Sequence, residues 1–418
     1  MQFIILNILD RCVSRAKTWI SPYEKQLSIP WLFLGLIISP LNLFAWGATG
    51  HQVIAQIAYD YLMTQPDHDL YAADYKRLVA HMANEDFIDD YPPGVTTPIY
   101  YESNLTALAH WPDDLKSEGD MTGYGWHFEN NLWSFDNTHP TVFDLQTVDP
   151  SNVTWAIGKM VSILTESTGD GKNKRLVANI NLQARSLAYL IHFVGDAHQP
   201  LHCSDLVNHQ FPAPEGDQGG NLIPIIPDPN SQNQGNKKLI QKARELHALW
   251  DNGLGVLNCQ GQNQNQDFNK TVCIEKLAKN LMGNPENYWI KKTALNSEPN
   301  SNLNSNLNLS DWAEDWSNTW CGPAYIVTSA GEKKVVTPTP EWVSFVSSEQ
   351  ENLKTNPPVY YGVYVDQGRP LKITSQVVIT DQYISDHQPI VTERILEAGY
   401  RLGVILKAVF DQQDLIHS

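Results

Sequence analysis

Apolar residues recur every third or fourth position in four long stretches: VIAQIAYDYLM (53–63), VANINLQARSLAYLIHFV (177–194), KKLIQKARELHALWD (237–251) and IVTERILEAGYRLGVILKAVF (390–410). That period gathers them on one side of a helix, so a mainly α protein is expected. Short extended pieces are expected at KKVVTP (333–338) and LKITSQVVI (371–379), the latter preceded by a turn at DQGRP (366–370). Three Asn- and Gln-rich stretches, 227–236, 258–269 and 296–308, carry too little apolar surface to order themselves and read as polar loops. No repeat of solenoid length is present, and at most a small β element accompanies the helices.

The first 45 residues follow a different pattern. Scattered cations at Arg11, Arg15, Lys17 and Lys25 precede the apolar run IPWLFLGLIISPLNLFA (29–45), which ends on the small residue Ala45. It contains a proline and is short for a membrane span, so 1–45 reads as a signal peptide cut after Ala45, with an uncleaved anchor as the alternative. The expected product is a secreted or periplasmic chain from Trp46 to Ser418, one compact domain. Cleavage removes Cys12 and leaves Cys203, Cys259, Cys273 and Cys321. These allow up to two disulfides in three pairings, of which Cys259 with Cys273 would close a short polar loop; free thiols are the alternative. Asn104, Asn152, Asn269 and Asn308 are acceptors for glycosylation in a eukaryotic host.

A formal charge of −17 excludes the basic footprint that grips duplex nucleic acid through many phosphates. An anionic substrate would have to be held locally, and metal is the means the sequence offers. In HFVGDAHQPLH (192–202), His192 and Asp196 stand four apart at the end of a helix and reach a common point. Pro200 should end that helix near Gln199, leaving His202 on a turn where it can serve a second metal. His198 reads as a helix-end surface residue. ELHALWD repeats the spacing with His247 and Asp251, flanked by Leu246 and Leu249. Imidazole and carboxylate together suit zinc. HWPDDLK adds Asp113, Asp114 and Lys116, GWHFENN adds His127, and WGATGHQVIAQIA puts His51 on the opening turn of a helix just after Trp46. Asp114 reads as a surface or supporting carboxylate.

With order and spacing kept, WGATGH, WPDDLK, WHF, HFVGDAHQPLH, DQGGN, LHALWD and EAGYRLGVIL resemble the S1/P1 nuclease family of zinc-dependent phosphoesterases, whose relatives include the zinc phospholipases C. The resemblance implies a single α-helical domain with three zinc ions at the bottom of a cleft. One would be held by Asp113, His127, His192 and a bridging Asp196. A second would take His202, His247 and Asp251, and a third the amine and carbonyl of Trp46, His51 and the shared Asp196. Asp113 and Lys116 are the implied catalytic residues, Lys116 offsetting charge on the transition-state phosphoryl group. Phe128 occupies the place of a base-stacking aromatic, Asn130 departs from a base-reading aspartate, and Asn221 in the DQGGN turn would hydrogen-bond a ligand or its own loop. The expected substrate is single-stranded DNA or RNA cut to 5′-nucleotides by a monomer, and no protein partner is inferable. The alternatives are a phospholipase C acting on phospholipid head groups and a non-catalytic binding module stapled by metal.

Overall fold

The computed structural model describes residues 46–82, 108–117, 123–129, 131–135, 140–142, 152–168, 175–176, 178–206, 211, 216–259, 270–296, 326–329, 332–335, 365–366, 369–370 and 377–417. The leader expected at 1–45 lies outside these, as do Asn130, Cys321, the side chain of Lys116, the acceptors Asn104, Asn269 and Asn308, and most of the polar stretches 258–269 and 296–308. The elements below all fall in the unit Asn42–Ser418.

In chain order, helices α1 (Ala48–Leu62), α2 (His68–Met82) and α3 (Trp111–Ser117) lead to a 3-10 turn, Tyr124–His127, and to strands β1 (Asn131–Phe135) and β2 (Pro140–Val142). Helix α4 (Val153–Thr165), the short strands β3 (Ser167–Thr168) and β4 (Arg175–Leu176), and helix α5 (Ile180–Asp196) follow. A second 3-10 turn, Pro200–His202, runs into β5 (Ser204–Leu206) and β6 (Ile225–Pro227). Then come α6 (Gln234–Ala243), α7 (Leu246–Asp251), α8 (Lys270–Gly283) and α9 (Tyr288–Asn296). Strands β7 (Ile326–Ser329), β8 (Glu332–Val335), β9 (Val365–Asp366), β10 (Arg369–Pro370) and β11 (Val377–Ile379) precede the long α10 (Asp381–His417). The protein is mainly helical, as the apolar periodicity predicts.

The core takes in the predicted apolar faces, together with residues outside them such as Tyr71 and Leu78 of α2 and Val153 and Ile157 of α4. Val53, Ile54 and Ile57 of α1, Leu187, Leu190 and Ile191 of α5, and Ile395, Leu402 and Ile405 of α10 are all buried in one cluster. Helix α10 packs along α1, with Tyr61 and Tyr400 edge to face at 6.3 Å. Local signals set the starts: the side chains of Asn152 and Asn179 accept the backbone N–H of Trp155 and Leu182, capping α4 and α5.

Four boundaries differ from the pattern's expectation. The apolar pattern through 237–251 reads as one helix, but the chain breaks at Arg244, whose φ of 67° is left-handed, and Glu245 bridges to Pro224 before α7 restarts. The stretch 227–236 is not loop throughout, because Asn233 accepts from Gly235 and Asn236 and starts α6 at Gln234. Helix α5 ends at Asp196, with Ala197 as its C-cap, three residues before Gln199; the turn at Pro200 then carries His202 as expected. Near the C-terminus α10 begins at Asp381 and runs through Pro389, well before the apolar repeat does.

The β structure is small, yet it positions chemistry. In the sheet β2-β1-β5, β1 runs parallel to β5 with Leu132 opposite Asp205. The segment after His127 is thereby held beside the segment after His202. Glu129 N–H donates to His202 O at 2.8 Å and ties the same segments one step earlier. Among the described residues, no helix is long and apolar enough to cross a membrane.

Candidate metal centre

The ends of α1, α3, α5 and α7 and the two 3-10 turns meet at one buried place. His51, Asp113, His192 and Asp196 are fully buried, and His127, His202, His247 and Asp251 are at most 5% exposed. Burying eight such groups is costly unless something compensates them. Asp196 faces two ways: Oδ1 is 3.2 Å from His51 Nε2, and Oδ2 is 2.9 Å from His127 Nδ1 and 3.3 Å from His192 Nε2. Asp113 Oδ1 is 3.6 Å from His192 Nε2 and 3.9 Å from His127 Nδ1. A separate group has His202 Nε2 at 3.1 Å and Asp251 Oδ2 at 3.6 Å from His247 Nε2.

Among the described residues, three groups could therefore hold a metal ion: His51, His192 and Asp196; Asp113, His127 and His192; and His202, His247 and Asp251. The donor chemistry fits a cation. Among the described residues, both oxygens of Asp113, Oδ1 of Asp196 and both ring nitrogens of His51 have no hydrogen-bond partner although buried. Three rings are also committed in one direction. Nδ1 of His192, His202 and His247 lies 2.7, 2.8 and 2.7 Å from the carbonyls of Ala109, His127 and Gly219. A ring nitrogen against a carbonyl oxygen carries the proton, so each Nε2 faces inward and, once unprotonated, offers its lone pair there, the arrangement metal-binding histidines use.

The electrostatics point the same way. Burial works against charge on Asp113 and Asp196, but His192 overrides it and holds both carboxyls well below their usual range. Burial likewise opposes charge on His192, yet Asp196 and Asp113 raise its pKa to about 10. Burial and the neighbouring His192 bring His51 down to about 4. Asp251 is pushed well up by burial, with Asp113, Glu245 and Asp196 adding to it against a hydrogen bond from Gln199. Negative charge is crowded into a dry site that one imidazolium only partly neutralises.

The remaining expected residues fall around this centre. Trp46 is buried at the start of α1, and the next amide, Gly47 N–H, donates to Asp251 O at 2.8 Å. Phe128 is half-buried and stacks on His202, with centroids 4.7 Å apart. Asn221 spends its amide N–H on Gln218 O at 2.7 Å, the loop role, while its Oδ1 has no hydrogen-bond partner among the described residues. Asp114 is half-buried, 3.6 Å from His110 Nε2. Lys116 lies on the last turn of α3. His198 corrects its sequence reading: it is buried rather than superficial, with Nδ1 on Val194 O at 2.7 Å and Nε2 3.4 Å from Arg401. Cys259 and Cys273 form the disulfide, whereas Cys203 is a buried thiol donating to Ala197 O.

A family model described as S1/P1 Nuclease matches residues 46–411, which contain all of these groups. The chain belongs to the S1/P1 nuclease family. Among similar proteins, Endonuclease 4 of Arabidopsis thaliana is 22% identical over 229 residues, 53% of this chain and 60% of that one. Endonuclease 3 of the same plant is 24% identical over 53% of this chain and 59% of its own, and Endonuclease 1 is 24% identical over 60% and 67%. The chain thus spans about three fifths of the length of the curated relatives it matches. Within this S1/P1 chain, sequence reading passed over Gln199, which is fully buried and donates to Asp251 Oδ1 at 2.7 Å while its Oε1 accepts Leu201 N–H. It also passed over His110, 3.3 Å from Asp113 Oδ2. His110 stands three before Asp113 on the first turn toward α3, a spacing that could have flagged it.

Proposed function

We propose that this protein is an exported zinc-dependent phosphodiesterase that hydrolyses single-stranded DNA or RNA to 5′-mononucleotides. The observation that carries the reading is the convergence of Asp113, His127, His192, Asp196, His202, His247 and Asp251, spread along the sequence, into groups whose ligand atoms lie within 4.8 Å of one another. Membership of a nuclease family, and relatives that bear the name endonuclease, support the choice of phosphodiester substrate.

Three zinc ions are the proposed complement. Asp113, His127, His192 and Asp196 would hold one; His202, His247 and Asp251 the second; His51, Asp196 and the amine and carbonyl of Trp46 the third. Bound zinc supplies a Lewis acid and brings the pKa of water from nearly 16 to about 7. The chain's own part is preorganisation: carbonyls of Ala109, His127 and Gly219 fix three imidazole tautomers, and Gln199 orients the Asp251 carboxylate. Lys116, three residues after Asp113, is proposed to offset charge on the phosphoryl group, and Phe128 to offer a face to a base. Removal of residues 1–45 as a signal peptide would free the Trp46 amine; this part rests on the sequence pattern.

The test is a side-by-side assay of the protein purified from Trp46 onward on single-stranded DNA, RNA and phosphatidylcholine, with and without chelator. Chelator-sensitive release of 5′-nucleotides is expected. Turnover of lipid alone would overturn the choice of substrate and leave the metal centre standing. Full metal content with no hydrolysis of either class would mark a binding module.

A further inference from the structure

Asp205, Asp217 and Glu397 are buried carboxylates outside the three ligand groups, and Asp205 stands out for what it holds. Asp205, on β5 three residues after His202, is 2% exposed, and its Oδ1 accepts the N–H of Gly219. The carbonyl oxygen of Gly219 in turn accepts Nδ1–H of His247 at 2.7 Å. The loop can bring its backbone this close because residue 219 has no side chain. Its φ is +60°, and a β-carbon there would stand 2.1 Å from Leu201 O and 3.3 Å from His247 Nδ1. The chain of contacts runs from Asp205 through the N–H and C=O of one residue, Gly219, to the ring whose Nε2 lies 3.1 Å from His202 Nε2.

From this geometry we infer that Asp205 is a positioning residue for the His202–His247–Asp251 site: by anchoring the Gly219 amide it aims the adjacent carbonyl at His247 and so fixes the tautomer and direction of that ring. The inference rests on the metal-site reading above and does not depend on which phosphodiester is cut. What Asp205 must supply is an acceptor oxygen, not a charge. Burial and the neighbouring Asp217 push its carboxyl well above the ordinary range, and a neutral carboxyl still accepts through its carbonyl oxygen. An amide of the same shape can therefore replace it.

The experiment titrates zinc alone, in metal buffers, into the metal-free protein from Trp46 onward, for the parent chain and for Asp205→Ala and Asp205→Asn, with circular dichroism to confirm the fold. Outer supports of metal-bound histidines typically contribute 10- to 100-fold in metal affinity. Asp205→Ala is expected to weaken one zinc by roughly 10-fold or more and leave the others unchanged, while Asp205→Asn stays within about threefold of the parent. If Asp205→Ala does not fold, Asp205→Ser, whose hydroxyl is too short to reach the amide, carries the same expectation. Equal zinc affinity in the parent and the Ala or Ser variant overturns the role of Asp205 alone. Equal impairment in Asp205→Asn overturns it too, since charge would then matter. A parent chain that binds no zinc overturns this inference together with the metal-site reading.

Discussion

The imidazole of His51, on α1, lies over that of His192, on α5, with ring centroids 3.9 Å apart and planes 14° from parallel. The two helices can bring these rings together because residue 195, one turn along α5, is glycine. A β-carbon at Gly195 would stand 2.6 Å from His51 Nδ1 and 2.9 Å from its Cε1. Gly195→Ala should therefore push His51 away from Asp196. The helix gains a little from alanine's propensity but pays for overpacking, about 1–3 kcal/mol. Thermal unfolding should show the loss, and zinc content after dialysis should fall by about one equivalent. An unchanged midpoint and unchanged metal content would show that His51 has room to spare.

Asp196 presents its two oxygens to two different groups, Oδ1 to His51 and Oδ2 to His127 and His192. Asp196→Ala should then disturb two zinc ions, whereas His51→Ala should lose about one. Elemental analysis of the two purified variants checks this directly. Equal metal content in both would contradict a bridging carboxylate.

The parts of this centre that local geometry sets were legible in the sequence. His192 with Asp196 and His247 with Asp251 announce themselves because four residues of helix superpose their side chains, whatever the rest of the chain does. The contacts that only the fold creates were not. Nothing in the sequence around Gln199 says that its amide will meet Asp251, 52 positions later, nor that Asp205 will meet Gly219 across a loop. The break between α6 and α7 was hidden for a related reason. Apolar spacing continues in phase across it, and the left-handed residue is Arg244 rather than a glycine, so no punctuation marks the stop.

His387, on α10, gives the fold an acid-sensitive point away from the metal ligands. It is 1% exposed, stacks on Tyr383 at 4.1 Å, meets Trp250 edge-on and donates Nδ1–H to Tyr383 O. Burial brings its pKa from 6.5 to about 4, against smaller opposing effects from that hydrogen bond and Asp386. The folded state thus resists a proton that the unfolded chain accepts. Stability from this group is complete above about pH 6.5, is lost as pH falls from there toward 4, and changes no further below. The full loss is about 3 kcal/mol. His387→Asn should lower stability at pH 7.5 but flatten its decline between pH 6.5 and 4, read by urea unfolding of the metal-free protein. A decline as steep as that of the parent chain would assign the acid sensitivity elsewhere.

Phe128 lies against His202 on one side and is half-exposed, with Tyr124 5.7 Å away. If the substrate is single-stranded nucleic acid, that ring is a shelf for a base next to the scissile phosphate. Stacking of one base on an aromatic contributes roughly 1–3 kcal/mol, so Phe128→Ala should lower kcat/KM on an oligonucleotide roughly 5- to 150-fold. Because the ring also covers His202, zinc content must be measured alongside. The stacking role predicts full metal occupancy in the variant, near-parent activity in Phe128→Tyr, and no loss on a strand that is abasic at the cleavage site. A comparable loss on the abasic strand would mean that Phe128 serves the metal centre by shielding His202, and that base recognition lies with another residue.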